Sequence, residues 1–246
     1  MSFIPLGVGD AFSTRYYSYS IVVEAEGTTL LIDCPHPIRK MLHEASATSG
    51  FPVDLPDVDA VLLTHLHADH CSGVEGYGFF SYFILGRRGR ILAHPDVLAK
   101  LWDGHLAGGM HRLFDDSGDG YEYPTLETYF ETLPLSIEHP VRFGPFDIVC
   151  RFTHHPVPTT ALRITVGDRT LGISSDTDFD PTLIEWLSEA DLFIHETNRG
   201  VHTHYEPLAE LPAEVRAKMR LIHYPDDFDI ETSAIQALEQ GKRYLV

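Results

Sequence analysis

The stretch Val58-Asp-Ala-Val-Leu-Leu-Thr-His-Leu-His-Ala-Asp-His70 constrains this chain more than any other. Val58, Ala60, Val61, Leu62 and Leu63 form a short apolar run, the pattern of a buried strand. Three histidines and an aspartate follow within residues 65–70. If the backbone stays extended past the strand, its period of two puts His65 and His67 on one face, about 7 Å apart at their Cα atoms. Two imidazoles at that spacing can converge on one metal ion, while Asp69 and His70 turn toward a second position beside it. Imidazole and carboxylate suit Zn²⁺, and also Mn²⁺ or Fe²⁺. A surface loop of unrelated polar residues does not account for so many ligand types packed behind a hydrophobic strand.

The rest of the chain reads as a scaffold for that turn. Phe3–Leu6, Tyr19–Glu24 and Thr28–Ile32 are strand-like, the last two flanking Ala25-Glu26-Gly27 as a hairpin. Helical patterns follow at Ile38–Leu42 and Gly73–Leu85, a strand at Arg90–Ala93 and a helix at Pro95–Trp102. Strands resume at Phe146–Phe152, Ala161–Val166, Thr170–Ile173, Leu192–Ile194 and Leu221–His223. Helices are expected at Pro181–Leu187, near Leu211–Met219 and at Thr232–Leu238, with a last strand at Arg243–Val246. Two β-rich halves, each with helices, predict an α/β fold of two packed sheets with helices outside. A chain of 246 residues can form this as one domain, 1–246. Periodicity lapses over about 103–139, which reads as an insertion or long loop covering the site or meeting a partner. Its aromatic residues Tyr121, Tyr123, Tyr129 and Phe130 are expected to face the pocket or a neighbouring subunit, with its acidic residues toward water.

Composition narrows the function classes. The formal net charge of -18 disfavours nucleic acid, because neutralising phosphates needs clustered Lys and Arg. The one basic knot, Arg87-Arg88-Gly-Arg90, reads as a solvated turn. No apolar run reaches the roughly 20 residues of a bilayer span, and Met1–Leu6 lacks the pattern of a signal peptide. Three cysteines, Cys34, Cys71 and Cys150, are odd in number and lack a CxxC spacing, which points to reduced thiols and a cytoplasmic setting. Cys71 reads as a small packing residue rather than a metal or redox group. The Gly7-Val8-Gly9-Asp10 turn is not a dinucleotide loop, since it departs from GxGxxG and leads to another strand.

Further candidate ligands stand where strands end: His154-His155, Asp176 in Gly-Ile-Ser-Ser-Asp-Thr-Asp, and His223 after Arg-Leu-Ile. A strand, His-x-His-x-Asp-His, His, Asp and His in that order resembles the metallo-β-lactamase superfamily of metal-dependent hydrolases, over nearly the whole chain. The resemblance implies a four-layer αββα sandwich of two mixed sheets with helices on both outer faces. It implies His65, His67 and His155 on one metal ion and Asp69, His70 and His223 on a second, with Asp176 bridging. Two divalent ions are implied, zinc first, with manganese or iron as alternatives. Asp33 matches the aspartate that braces the metal loop.

His155-Pro-Val-Pro-Thr-Thr-Ala-Leu-Arg163 resembles the His-x-x-Pro-x-x-Gly-Tyr-Arg pattern of the phosphodiesterase branch, which holds the tRNA 3′-processing endonucleases and cyclic phosphodiesterases. This favours His155 over His154 as ligand, and Ala161-Leu162 stand where the branch has Gly-Tyr. Thioesterases, lactonases and true β-lactamases usually show Pro-Gly-His-Thr there instead. Phe193-Ile-His-Glu-Thr-Asn198 is similar to the branch's His-Glu-Ala-Thr segment, and His202-Thr203 to the pair that supplies a catalytic histidine. His204 competes with His202. Only 20 residues (156–175) separate His155 from Asp176, too few for the substrate-grasping arm of the tRNA enzymes.

The resulting expectation is hydrolysis of a small phosphodiester by a hydroxide bridging two metal ions. Asp69 would orient that nucleophile and His202 would act on the anionic centre or leaving group. The alternatives are hydrolysis of a carboxylic ester, lactone or amide, or a non-catalytic metal- or ligand-binding protein on the same fold. The expected partner is a small-molecule substrate, with no nucleic acid and no membrane; a homodimer is compatible with the sequence.

Overall fold

The computed structural model covers residues 1–246, and two sheets organise it. Strands β1 (Ser2–Gly7), β2 (Ser20–Ala25), β3 (Thr28–Ile32), β4 (Ala60–Leu62) and β5 (Gly89–Ala93) belong to the first sheet. Strands β6 (Leu113–Phe114) and β7 (Tyr121–Glu122) form a separate hairpin, and β8 (Phe130–Pro134) returns to the first sheet beside β5. The second sheet holds β9 (Val141–Phe143), β10 (Phe146–Phe152), β11 (Thr160–Val166), β12 (Arg169–Ile173), β13 (Leu192–Glu196) and β14 (Met219–Ile222). Strand β15 (Tyr244–Leu245) closes the first sheet against β1, giving the order β15-β1-β2-β3-β4-β5-β8. The second sheet runs β14-β13-β12-β11-β10-β9. Each sheet is antiparallel at one side and parallel at the other: β3, β4, β5 and β8 run parallel in the first, β12, β13 and β14 in the second.

Strand alternation explains the layers. Phe3, Ile21, Val23, Leu30, Ile32 and Leu62 pack between the sheets against Phe146, Ile148, Leu162 and Ile164. Their neighbours Ile4, Val22, Leu31, Val61 and Leu63 point the other way, into a second cluster under the first sheet's helices. Both faces are therefore buried, which is why these strands read as nearly continuous apolar runs. Helix Ile38–Ser49 closes the outer face through Ile38, Met41, Leu42 and Ala45, an i, i+3, i+4, i+7 stripe. Helix Pro181–Ser188 covers the second sheet with Leu183, Ile184 and Leu187, and Asp180 caps it by accepting from the Thr182 amide. A Cβ at Gly172 would stand 2.8 Å from Phe193 Cβ and 3.1 Å from a Leu187 methyl, so only glycine lets this helix settle there. Each fully buried Leu or Ile side chain in these layers contributes roughly 1.5–3 kcal/mol of transfer free energy. No helix is long and apolar enough to cross a membrane.

Two local expectations are corrected. Residues Thr232–Leu238 form no helix. Leu221 N–H donates to Gln236 O and Leu238 N–H to Leu221 O, so this stretch satisfies its backbone along β14 instead. Ile235, Ala237 and Leu238 still reach the core, and tertiary pairing overrides the helical pattern. Within the aperiodic segment, Tyr129 and Phe130 are core residues rather than pocket-facing ones. The register of β8 against β5 places Phe130 opposite Gly89, with Tyr77 stacked on its ring. Tyr121 and Tyr123 stay exposed on and beside the β6–β7 hairpin.

Candidate metal centre

The polar residues sit at the C-terminal ends of strands, where the crevice of an open α/β sheet takes its ligands. The turn after β4 supplies His65, His67, Asp69 and His70, the last two on a single helical turn, Ala68–Cys71. The loop after β10 supplies His155, the ends of β12 and β14 supply Asp176 and His223, and β13 ends at Glu196. Thr160 N–H donates to Thr64 O at 3.2 Å, tying the two sheets together at this point.

Two ligand-like groups share Asp176. In the first, His67 Nδ1 lies 3.2 Å from His65 Nε2 and 3.1 Å from His155 Nε2. Asp176 Oδ2 stands 3.7 Å from His65 Nε2 and 3.9 Å from His155 Nε2. Four donors around a tetrahedral Zn²⁺ would be separated by about 3.3 Å, close to these spacings. In the second, His70 Nε2 lies 3.5 Å from Asp69 Oδ2 and 3.2 Å from Asp176 Oδ1. His223 Nε2 lies 3.4 Å from Asp69 Oδ2 and 3.9 Å from Asp176 Oδ1. One carboxylate thus turns one oxygen to each group.

A hydrogen-bond network alone does not explain the arrangement. His70 Nε2 and Asp176 Oδ1 are buried and close, yet they are not aligned for a hydrogen bond and have no other partner. Two buried polar atoms left so close without a hydrogen bond carry an unmet cost, which a cation between them would relieve. The donor set of imidazole and carboxylate, with no cysteine sulfur in either group, fits a divalent ion.

Electrostatics agree. Burial raises the Asp176 carboxyl, but the imidazoles of His223, His70 and His65 outweigh it and hold the group well below the ordinary carboxylate range. Asp69 also lies below that range, its burial outweighed by the hydrogen bond from His223 and the charge of His70. Burial lowers His65, and lowers His155 to about 4, leaving both neutral with free lone pairs. His70 goes the other way: burial pulls it down, but Asp176 and Asp33 push it up to about 10. The carboxylates thus demand a positive charge that a proton or a metal ion can meet, and metal binding here would release protons.

Asp33 braces the turn from behind. Its Oδ2 accepts from His70 Nδ1 at 2.8 Å and from Thr64 Oγ1 at 2.7 Å, and its Oδ1 accepts from Thr64 N–H at 2.8 Å. Because the Thr64 hydroxyl donates to Asp33, its oxygen is left to accept from His65 Nδ1 at 3.0 Å. Both histidines therefore carry their proton on Nδ1 and turn Nε2 to the cluster. Asp33, Ser175 and His223 all adopt positive φ, at 55°, 53° and 58°. A non-glycine residue held there costs of order 1–3 kcal/mol, and all three lie in or beside the cluster.

The remaining histidines separate cleanly. His155 is buried against His67, whereas His154 is 82% exposed and faces Asp178. His202 joins the cluster, its Nδ1 3.0 Å from both oxygens of Glu196 and 3.8 Å from Asp176 Oδ2. Burial lowers His202, and Glu196 more than restores it, so the net shift is upward. His204 stays outside, exposed at the start of helix Tyr205–Ala209. Ala161 and Leu162 are packed in the core, so they line nothing. The sequence alone gives Glu196 no role, although it stands in the His-Glu-Thr-Asn segment. Buried, it accepts from Thr177 N–H and His202, and it stands 3.3 Å from His223 Nδ1, so it ties the two histidines together.

Comparison with known proteins places this arrangement. Residues 1–244 match the family model described as Anti-Pycsar protein Apyc1. The chain is 32% identical to the Anti-Pycsar protein Apyc1 of Bacillus phage 010DV004, across 100% of this chain and 98% of that protein. It is 30% identical to that of Saccharibacillus brassicae, across 97% of each. Among solved structures it resembles the metallo-beta-lactamase fold protein YhfI from Bacillus subtilis, with a TM-score of 0.78 at 20% identity over 99% of this chain and 98% of that one. A diphosphatase from the PhnP family superposes with a TM-score of 0.73 at 14% identity, over 100% and 97%. The fold is that of the metallo-β-lactamases, and the chain belongs to the anti-Pycsar protein Apyc1 family.

Proposed function

We propose that this protein is a metal-dependent hydrolase that opens the phosphodiester of a small cyclic nucleotide, with two divalent ions, zinc foremost, held by His65, His67, His155, Asp69, His70, His223 and the shared Asp176. The observation that carries this reading is the Asp176 carboxylate, one oxygen toward each ligand group. The anti-Pycsar name of its relatives fits cyclic-nucleotide hydrolysis.

Ions bound there would lower the pKa of a coordinated water toward 7 and take up charge on the phosphoryl oxygens. The chain's own groups do the rest. Asp69, an acceptor at neutral pH, sits at the edge of the cluster and orients the attacking water. Glu196 holds His202 through Nδ1, which leaves Nε2 free to act on the reacting group. The upward shift of His202 favours its protonated form, which can hydrogen-bond the phosphoryl group or hand a proton to the leaving alkoxide. Water adds across one P–O bond, and the cyclic diester becomes a monoester. No serine or cysteine nucleophile is needed: Cys71 is buried and its thiol is pushed up to about 12 by burial.

The test is a substrate panel on zinc- or manganese-loaded protein: 2′,3′- and 3′,5′-cyclic nucleotides, bis-(p-nitrophenyl) phosphate, and a set of lactones and carboxylic esters. Turnover of a cyclic nucleotide to its monophosphate is expected. Turnover of lactones or esters with every diester untouched would overturn the reading.

A further inference from the structure

Phe12 is 89% exposed, the most exposed large hydrophobic residue of the chain. It stands on the loop between β1 and β2 and, together with His202, lines a depression of about 480 Å³. An apolar ring in water beside a polar cluster has two ordinary explanations, a mobile loop or a ring that waits for something flat.

The loop is pinned. Phe12 N–H donates to Asp10 Oδ1 at 2.9 Å, and Asp10 also accepts from Asn198 Nδ2 at 3.3 Å. The following residues close on Asp226, whose carboxylate accepts from the Ser13 hydroxyl and from the Thr14 amide and hydroxyl at 2.8 and 2.7 Å. Arg15 Nη1 donates to Asp226 O at 2.9 Å. The backbone under Phe12 is thus held on both sides, which fixes where the side chain leaves the loop. A loop fixed before binding has no backbone freedom left to lose when a ligand covers the ring, so only the side-chain torsions remain to be ordered.

Charge gives the depression a direction. Asp226 is spent on the loop and Asp227 pairs with Arg199. Arg199 is paired with Asp227, and Arg15 lies over the Tyr16 ring with its Nη1 on the Asp226 carbonyl, so neither cation lies against the Phe12 ring, and the phosphate belongs at the histidine cluster. A neutral, flat group suits the end where Phe12 stands.

We propose that Phe12 is the stacking platform for the nucleobase of the substrate, a residue that sets preference for base-bearing phosphodiesters and takes no part in bond cleavage. This rests on the cyclic-nucleotide reading above. Base–aromatic stacking is sequence-tolerant, because every base has a π-face.

The experiment is steady-state kinetics on the metal-loaded full chain with a 3′,5′-cyclic nucleotide and with ribose 3′,5′-cyclic phosphate, which has the same diester and no base. Phe12→Ala is expected to raise KM for the nucleotide roughly tenfold or more, with kcat within about twofold. Phe12→Trp should restore the low KM, and the base-free diester should show no such rise. An unchanged nucleotide KM in active Phe12→Ala would overturn the proposal and leave the phosphodiesterase reading standing. So would an equal rise for both substrates, or an altered oligomeric state without a KM effect. If the wild-type chain cleaves no cyclic nucleotide, the function and the stacking role fall together.

Discussion

The first sheet delivers four side chains to the cluster from one turn, residues 65–70, whereas the second delivers His155, Asp176, Glu196 and His223 from four separate strand ends. The first arrangement is local: a strand, an extended stretch and a single helical turn aim the side chains, and Asp33 with Thr64 locks two of them. The second depends on sheet register, because β12, β13 and β14 must run parallel and in step for their ends to meet. Backbone strain marks both regions, at Asp33 in one and at Ser175 and His223 in the other. A local turn therefore places its candidate ligands through its own sequence, while the strand ends place theirs through the whole fold.

The largest effect tests the second region's reach into chemistry. His202→Ala is expected to keep bound metal and lose roughly 10²–10⁴-fold in kcat, the range for a lost general acid. Metal analysis beside the rate checks it. A fully active His202→Ala with a dead His204→Ala would reassign the role.

A medium effect sharpens the first region. Asp33→Asn leaves a side chain of similar size but weakens the acceptor that fixes His70 Nδ1 and the Thr64–His65 relay. Metal affinity should fall roughly 10- to 100-fold, the usual cost of losing such an outer partner. Competition with a chelator reads it. An affinity within twofold of wild type would mean that the turn holds itself without the brace.

The smallest effect probes strain. Ser175 sits at φ 53° and its buried hydroxyl has no partner. Ser175→Gly removes of order 1–3 kcal/mol of backbone strain and gives back about 0.4–1 kcal/mol in unfolded-chain entropy. The apo protein should melt up to a few degrees higher. A Tm drop of several degrees would show that the conformation is comfortable for serine.

The same contrast governs what could be read before the fold was known. His65, His67, Asp69 and His70 were legible because strand periodicity and spacing act within a dozen residues. His155, Asp176 and His223 were legible only through their order along the chain, which the resemblance supplied. Glu196 was quoted in a motif without a role, because its partners His202 and His223 meet it only after β13 and β14 pair in register. Nothing local distinguishes Phe12 from a core phenylalanine; its exposure follows from the Asp226 clasp, more than 200 residues away in sequence. The misread helix at Thr232–Leu238 and the misplaced Tyr129 and Phe130 fail for the same reason. Each is decided by a distant neighbour, β14 in one case and β5 in the other.

The central claim is that two ligand groups share one carboxylate and hold two ions. Metal content per chain, measured on protein purified without chelator and brought to saturation with Zn²⁺ or Mn²⁺, tests it most directly. The arrangement predicts about two ions for the wild type and a clear loss in His67→Ala, with activity falling alongside. One ion or none at saturation in the wild type would contradict it.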